Sequence, residues 1–312
     1  MPAKLIMVTG GAGFIGSHVV NVFLEQGHRV IVVDDLSTGS KANLNPEAQF
    51  YQLDIRRPEA YDLVLEARPA VICHQAAQVS VRNSVADPLY DATINILGSL
   101  NLLQAAIAAG VEKVIFASTG GAIYGEQDYF PADEQHPVRP VCPYGVAKLA
   151  VEKYLYYYRQ ELGLKYVALR YANVYGPRQD PYGEAGVVAI FTEKMLKDEQ
   201  AVINGDGLQT RDFVYVQDVA QANLLAVDAD VVGEINIGTG LETDINTLFH
   251  YLRELTGATK EEYHGPPKSG EQRRSVIDPA QARARLSWEP KTALRQGLTA
   301  TVEYFRHHAT RR

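Results

Sequence analysis

Short, nearly continuous apolar runs rich in β-branched residues alternate with longer helical patterns through the first half of the chain. LIMVTG, RVIVVDD, QFYQLDI, AVICHQAA and KVIFAST read as strands. The segment through VVNVFLEQ, stopped by Gly27, and PLYDATINILGSLNLLQAAIAAG, stopped by Gly110, carry apolar residues at helical spacing. Strands without polar alternation, separated by helices, make a parallel sheet covered on both faces. KYVALRYANVYG and VVAIFTEKMLKD continue the alternation. Beyond about residue 175 the texture changes. QDPYGEAG is a polar, glycine-rich loop, and NGDGLQTRDFVYVQDVA reads as a turn followed by an alternating strand. The expectation is a doubly wound parallel α/β sheet over 1–175, with later segments returning to it, and a smaller α/β lobe over 176–312.

Composition narrows the function classes. The 312 residues are 46% hydrophobic and 21% charged, enough for one large domain and a smaller one. A net charge of −7 speaks against a nucleic acid or an anionic membrane as partner. The two cysteines, Cys73 and Cys142, have no metal-site spacing, so a reducing, cytoplasmic setting and no structural metal are expected. The run in MPAKLIMVTG is too short for a signal peptide, and no apolar run approaches the roughly eighteen residues of a membrane span. The terminal RHHATRR reads as a frayed basic end.

The first strand runs into VTGGAGFIGSH, where Gly11, Gly13 and Gly16 fit G-x-G-x-x-G and Gly10, Gly13 and Gly16 fit the overlapping T-G-x-x-G-x-x-G. Glycines there allow a tight turn and close approach of a pyrophosphate, held by free amides at the helix start. Asp34 ends the second strand and suits an adenosine ribose diol. Its charge repels a 2′-phosphate, so NAD is expected over NADP. Asp54 follows the third strand, with an adenine-edge role and a helix-capping role both open. Further on, Tyr144 and Lys148 in PYGVAK are four apart and share one helix face. The strand ending FASTGGAIYG delivers the hydroxyls of Ser118 and Thr119 to the carboxyl edge of the sheet, where parallel folds bind ligands.

Taken in order, TGGAGFIGSH, DDLSTG, STGGAIYG, PYGVAK, RYANVYGPR and TRDFVYVQDVA resemble the extended short-chain dehydrogenase/reductases, and most closely the UDP-glucose (UDP-galactose) 4-epimerases. The resemblance spans essentially the whole chain and implies a Rossmann fold that binds NAD and a UDP-sugar. It implies a cofactor site over Gly10, Gly13, Phe14, Ile15, Gly16, Asp34, Asp35, Ser37, Asp54, Ile55, Gln75, Ala76, Ala77, Asn95, Tyr144, Lys148 and Tyr171. Tyr144 becomes the acid/base and Lys148 the residue that lowers its pKa. Bringing a phenol from about 10 to neutrality takes roughly 4 kcal/mol. A lysine charge about 6 Å away at an effective dielectric of about 20 supplies about 2.8 kcal/mol, and the oxidised nicotinamide adds a second positive charge.

The family's catalytic hydroxyl stands four positions before the tyrosine of the Y-G motif, which is Gly120 here. The hydroxyl is therefore expected from Thr119, with Ser118 as second candidate, brought to the sugar O4 by a flexible glycine pair. Dehydratases of the family carry Asp-Glu after the catalytic threonine; Gly120-Gly121 lacks those proton shuttles, which disfavours dehydration. The resemblance assigns Asn173, Arg211 and Lys268 to the diphosphate, Glu271 to the uridine ribose and Ser275 to the wall near the sugar C2. Arg211 in a surface pair with Asp212 is the bland alternative. A serine where a bulky tyrosine excludes 2-acetamido groups leaves room for them, unless Arg274 fills it. NILGSLNLLQAAIAAG and AKLAVEKYLYYYRQEL carry apolar residues on more than one face, and the family pairs such helices in a homodimer. Rival readings are another NDP-sugar epimerase, for UDP-N-acetylglucosamine or UDP-glucuronate, and a non-catalytic NAD-sensing regulator. Such regulators lose the tyrosine–lysine pair kept here.

Overall fold

The computed structural model describes residues 2–182, 186–267 and 272–308. Seven parallel strands form its central sheet: β1 (Leu5–Thr9), β2 (Arg29–Asp34), β3 (Gln49–Gln52), β4 (Val71–His74), β5 (Lys113–Thr119), β6 (Lys165–Tyr171) and β7 (Gly233–Ile237). Their order is β7-β6-β5-β4-β1-β2-β3, so the winding reverses between β1 and β4. Helix α1 (Phe14–Glu25) and the helix Val216–Asp228 cover one face through Val19, Phe23, Val219 and Ala222, with Trp288 in the same cluster. The helices Pro58–Ala67, Ser99–Ala109 and Pro143–Leu162 cover the other through Leu63, Leu102, Val151 and Leu155. Both faces are buried, which explains the unalternating strands. The chain after residue 175 builds a lobe around Phe191, Met195, Leu248, Phe249 and Val302, but Val216–Asp228 and β7 return to the sheet.

Two sequence expectations change. The alternating run after NGDG is strand only over Phe213–Tyr215; from Val216 it is helix, because Val216, Val219, Ala220 and Ala222 face the core at helical spacing. The continuous helix Pro88–Ala109 is long and apolar enough to cross a membrane by length and composition. Its polar Asp91, Asn95 and Ser99 interrupt the apolar run and are all buried inside the protein, so the helix read from the sequence holds no continuous apolar stretch of that length.

At the carboxyl end of β4, His74 joins three elements. Ser99 spends its hydroxyl proton on the Asn95 carbonyl (2.6 Å), so His74 Nε2 donates to Ser99 Oγ (2.8 Å) and Nδ1 accepts from Thr9 (2.7 Å). This fixes a neutral tautomer. Burial, with the Lys148 charge, pushes His74 down to about 3; burial chiefly holds His18 at about 4, where it donates to the Pro177 carbonyl. Both take up a proton near 6.5 when unfolded, so below that pH the unfolded chain gains protons the folded one refuses. Stability should fall by about 2 kcal/mol per histidine at pH 5. The urea midpoint is expected to drop between pH 7 and pH 5, and to drop less in His18→Gln; an equal drop in the two proteins contradicts this.

Candidate active site

The turn after β1 has no room for side chains. A Cβ on Gly16 would lie 2.1 Å from the Gly10 carbonyl oxygen, and one on Gly10, at φ +69°, would lie 2.6 Å from the Ala76 amide nitrogen. The turn therefore closes on itself and against the start of the loop after β4, at the point where the winding reverses. Ligands bind at such points in open α/β sheets. Phe14 and Ile15 open α1 above the turn. Asp34, buried at the end of β2, accepts from the Ala12 amide (2.9 Å) and the Leu36 amide (2.8 Å), which ties β2 to the turn. Burial raises its carboxyl above the ordinary value against those two bonds. Asp35 and Ser37 form an exposed turn beyond it, with Ser37 donating to Asp35 (2.6 Å).

Asp54 does not cap a helix. The next helix is capped at Arg57 without a side chain, and Asp54 instead holds Arg56 through Nε (2.9 Å) and Nη2 (2.5 Å), which lowers its carboxyl. Ile55 is buried beneath Gly98. Gln75 donates to Asn223 (3.0 Å) and to the Tyr171 hydroxyl (3.2 Å), and Asn223 donates back to Tyr171 (2.8 Å). Tyr171 is thus buried in a network joining β4, β6 and the helix Val216–Asp228. Asn95 holds the loop after Ala76 and Ala77 by accepting from the Gln78 amide (2.9 Å) and donating to its carbonyl (2.9 Å). These positions line the carboxyl edge beside the glycine turn. Cradle, ribose-side carboxylate and braced loop together fit a dinucleotide.

The candidate side chains lie at the ends of β5 and β6 and on the helix packed beside them. Thr119 is paired with Tyr171, and its hydroxyl accepts from the Ala122 amide (3.2 Å), capping the single helical turn Gly120–Ile123. The glycine pair is therefore not a flexible link. A Cβ on Gly120 would lie 2.8 Å from Ile277, which accounts for glycine there. One on Gly121 would touch Asn173 Oδ1 at 3.5 Å and Thr119 Oγ1 at 3.9 Å, so these two groups face one small space. Gly145 packs onto the Ala122 carbonyl oxygen, 2.7 Å from where a Cβ would stand, and brings the start of the helix Pro143–Leu162 against the same turn. Ser118 is turned away. It is buried and donates to Glu152 (2.6 Å).

Tyr144 and Lys148 share one face of that helix, with Lys148 Nζ 5.7 Å from the Tyr144 ring centre. Lys148 is buried, donates to the Ala117 carbonyl (2.9 Å) and lies 4.7 Å from the Phe116 ring centre. Burial lowers it to about 8, opposed by the charges of Asp91 and Glu152. The expected depression of Tyr144 is absent from the protein by itself. Burial raises the phenol well above its ordinary value, and Cys142 and Asp91 add to this.

At the far side, the Asn173 amide donates to the Asp212 carbonyl (2.9 Å), and Arg211 lies in the strand Thr210–Arg211 opposite Ser275. A surface pair of Arg211 with Asp212 is overturned. Asp212 is buried and accepts from Thr239 and Gly240 instead. Ser275 is buried. Arg274 does not fill the space beside it: its guanidinium lies 3.6 Å from the Phe130 ring centre and grips Glu242 (2.9 and 2.5 Å). Lys268 and Glu271 lie outside the described residues. Among the described residues, no cluster of three or more His, Cys, Asp or Glu could hold a metal ion.

Residues 6–238 match the NAD dependent epimerase/dehydratase family. A UDP-glucose 4-epimerase of Mycolicibacterium smegmatis is 45% identical, with 96% of this chain and 98% of that protein covered. The crystal structure of a Thermotoga maritima UDP-glucose 4-epimerase with UDP-glucose superposes with a TM-score of 0.96 at 53% identity, over 98% of this chain and 99% of that one. That of a Thermus thermophilus UDP-glucose 4-epimerase in complex with NAD gives 0.92 at 46% identity, over 97% and 99%. With the glycine cradle at the switch point and the tyrosine–lysine face beside it, the chain belongs to the NAD-dependent epimerase/dehydratase family.

Proposed function

We propose that the protein interconverts UDP-glucose and UDP-galactose at the sugar C4 through a 4-keto sugar, as a homodimer in the cytoplasm. The observation that carries this is that Thr119 and Asn173 face one small space at a turn against which the helix bearing Tyr144 and Lys148 packs, beside the dinucleotide cradle. Gly120 and Gly121 stand where dehydration would need carboxylates. NAD, held at the glycine turn and Asp34, would supply a reversible hydride acceptor for the sugar C4, with no net redox. Tyr144 takes the proton of the 4-hydroxyl and gives it back. Lys148, held by Ala117 and Phe116, keeps a positive charge near the phenol. Thr119 orients the same oxygen. The family resemblance makes Asn173 and Arg211 the candidates for the diphosphate, Arg211 with a forked guanidinium suited to it. Conversion of UDP-galactose, followed by a coupled UDP-glucose assay, tests the reading; no conversion by protein holding NAD refutes it.

Tyr144→Phe should lower kcat by about 10²-fold or more while NAD stays bound; near-wild-type turnover contradicts the assignment. A small serine at position 275, with Arg274 turned toward Glu242 and Phe130, favours acceptance of 2-acetamido sugars, since overfilling a packed pocket costs roughly 1–3 kcal/mol. Ser275→Tyr is then expected to lower kcat/KM for UDP-N-acetylglucosamine selectively, and equal effects on both sugar classes remove the idea. Leu89, Leu97, Val146, Tyr154 and Tyr157 are exposed along two helical segments that pack together, while of the three adjacent tyrosines only Tyr158 is buried. Such a surface supports the dimer. Sedimentation should show twice the monomer mass; a concentration-independent monomer rules the dimer out.

A further inference from the structure

One layer beneath the site, a fully buried ion pair interrupts the apolar core. Tyr144, Lys148 and Glu152 follow one another at intervals of four along one helix face. Arg170 on β6 lies opposite Ser118 on β5 and opposite Asn236 on β7. Its guanidinium grips Glu152 in a fork, through Nε to Oε1 (3.0 Å) and Nη2 to Oε2 (2.7 Å), with side chains 5% and 0% exposed. Ser118 donates to the same Oε1 (2.6 Å). The remaining Arg170 nitrogen, Nη1, donates to the Tyr124 hydroxyl (3.0 Å), which donates to Asn236 (2.7 Å). Asn236 in turn donates to the Ala132 carbonyl (3.0 Å).

The catalytic helix is thus pinned to β5 at two successive residues. Lys148 reaches the Ala117 carbonyl and Glu152 receives the Ser118 hydroxyl, and the next residue is Thr119. An apolar pair would hold helix against sheet at least as strongly, because desolvating two charges often costs as much as their attraction returns. It would leave rotation and sliding of the helix less determined than a planar fork does.

We propose that Glu152 and Arg170 are positioning residues, whose buried fork sets the distance and tilt of the Tyr144–Lys148 helix against the strand end that carries Thr119. The role rests on the reading of those three residues as the working groups of a 4-epimerase. Small displacements of such groups lower turnover steeply while leaving substrate binding in place.

The experiment measures kcat, KM, bound NAD and Tm for the wild type, Glu152→Gln and the apolar double variant E152M/R170M, with UDP-galactose as substrate. Glu152→Gln is expected to lower Tm and to lower kcat about 10-fold or more per NAD-loaded protein, with KM within about 2-fold. The double variant, freed of an orphan charge, is expected to recover Tm while kcat stays low. Recovery of kcat together with Tm overturns the proposal and leaves a purely structural pair. Should the double variant fail to fold, Glu152→Gln decides: wild-type kcat per NAD-loaded protein overturns the proposal, and a fall in kcat at constant KM supports it. A wild type without turnover overturns the epimerase reading itself, and the positioning role with it.

Discussion

A parallel sheet buried on both faces leaves its carboxyl edge as the place where polar groups can meet a ligand, and the molecule depends on that constraint. Thr9, Asp34, His74, Thr119 and Tyr171 all end strands there. The glycine turn closes on Ala76 beside the first of them. Register then does the aligning. Ser118, Arg170 and Asn236 form one row across three strands, and Thr119, Tyr171 and Ile237 form the next. The first row is a closed polar network; in the second Tyr171 and Ile237 are buried and only Thr119 is partly exposed. Slipping any strand by one residue would exchange the two rows.

The electrostatics follow from the same burial. His74, Asp91, Lys148 and Glu152 are buried, with Tyr144 half-buried beside them, and each charge there is costly without partners. Burial lowers Lys148 to about 8 against the charges of Asp91 and Glu152, and the same burial raises the Tyr144 phenol. In the proposed reaction such a phenol would serve as a reversible proton carrier that gives up its proton only once NAD is bound.

Local features are legible in the sequence. The glycine turn, the carboxylate at the end of β2, and the i, i+4 tyrosine and lysine each announce themselves within a few residues, because each obeys a rule of chain geometry. What needs distant partners is not. Gly120 reads as a flexible joint, yet it is glycine because Ile277, far along the chain, fills the space of its Cβ. Asp212 reads as a possible surface partner of Arg211, but Thr239 and Gly240 bury it. Glu152 and Arg170 look like ordinary charged residues on a helix and a strand; only the sheet register brings them together. A depressed Tyr144 is expected from the nearby Lys148, whose Nζ lies 5.7 Å from the ring centre, yet burial raises the phenol and Cys142 and Asp91 add to the rise.

In the proposed reaction one site removes and returns the same hydrogen at C4, with Tyr144 moving the proton and NAD retained throughout. The decisive measurement supplies UDP-galactose carrying deuterium at C4 to purified NAD-loaded protein without added cofactor, and follows the product by NMR. UDP-glucose that keeps its deuterium at C4 is the result predicted. Loss of the label to solvent during turnover, or no UDP-glucose at all, would contradict it.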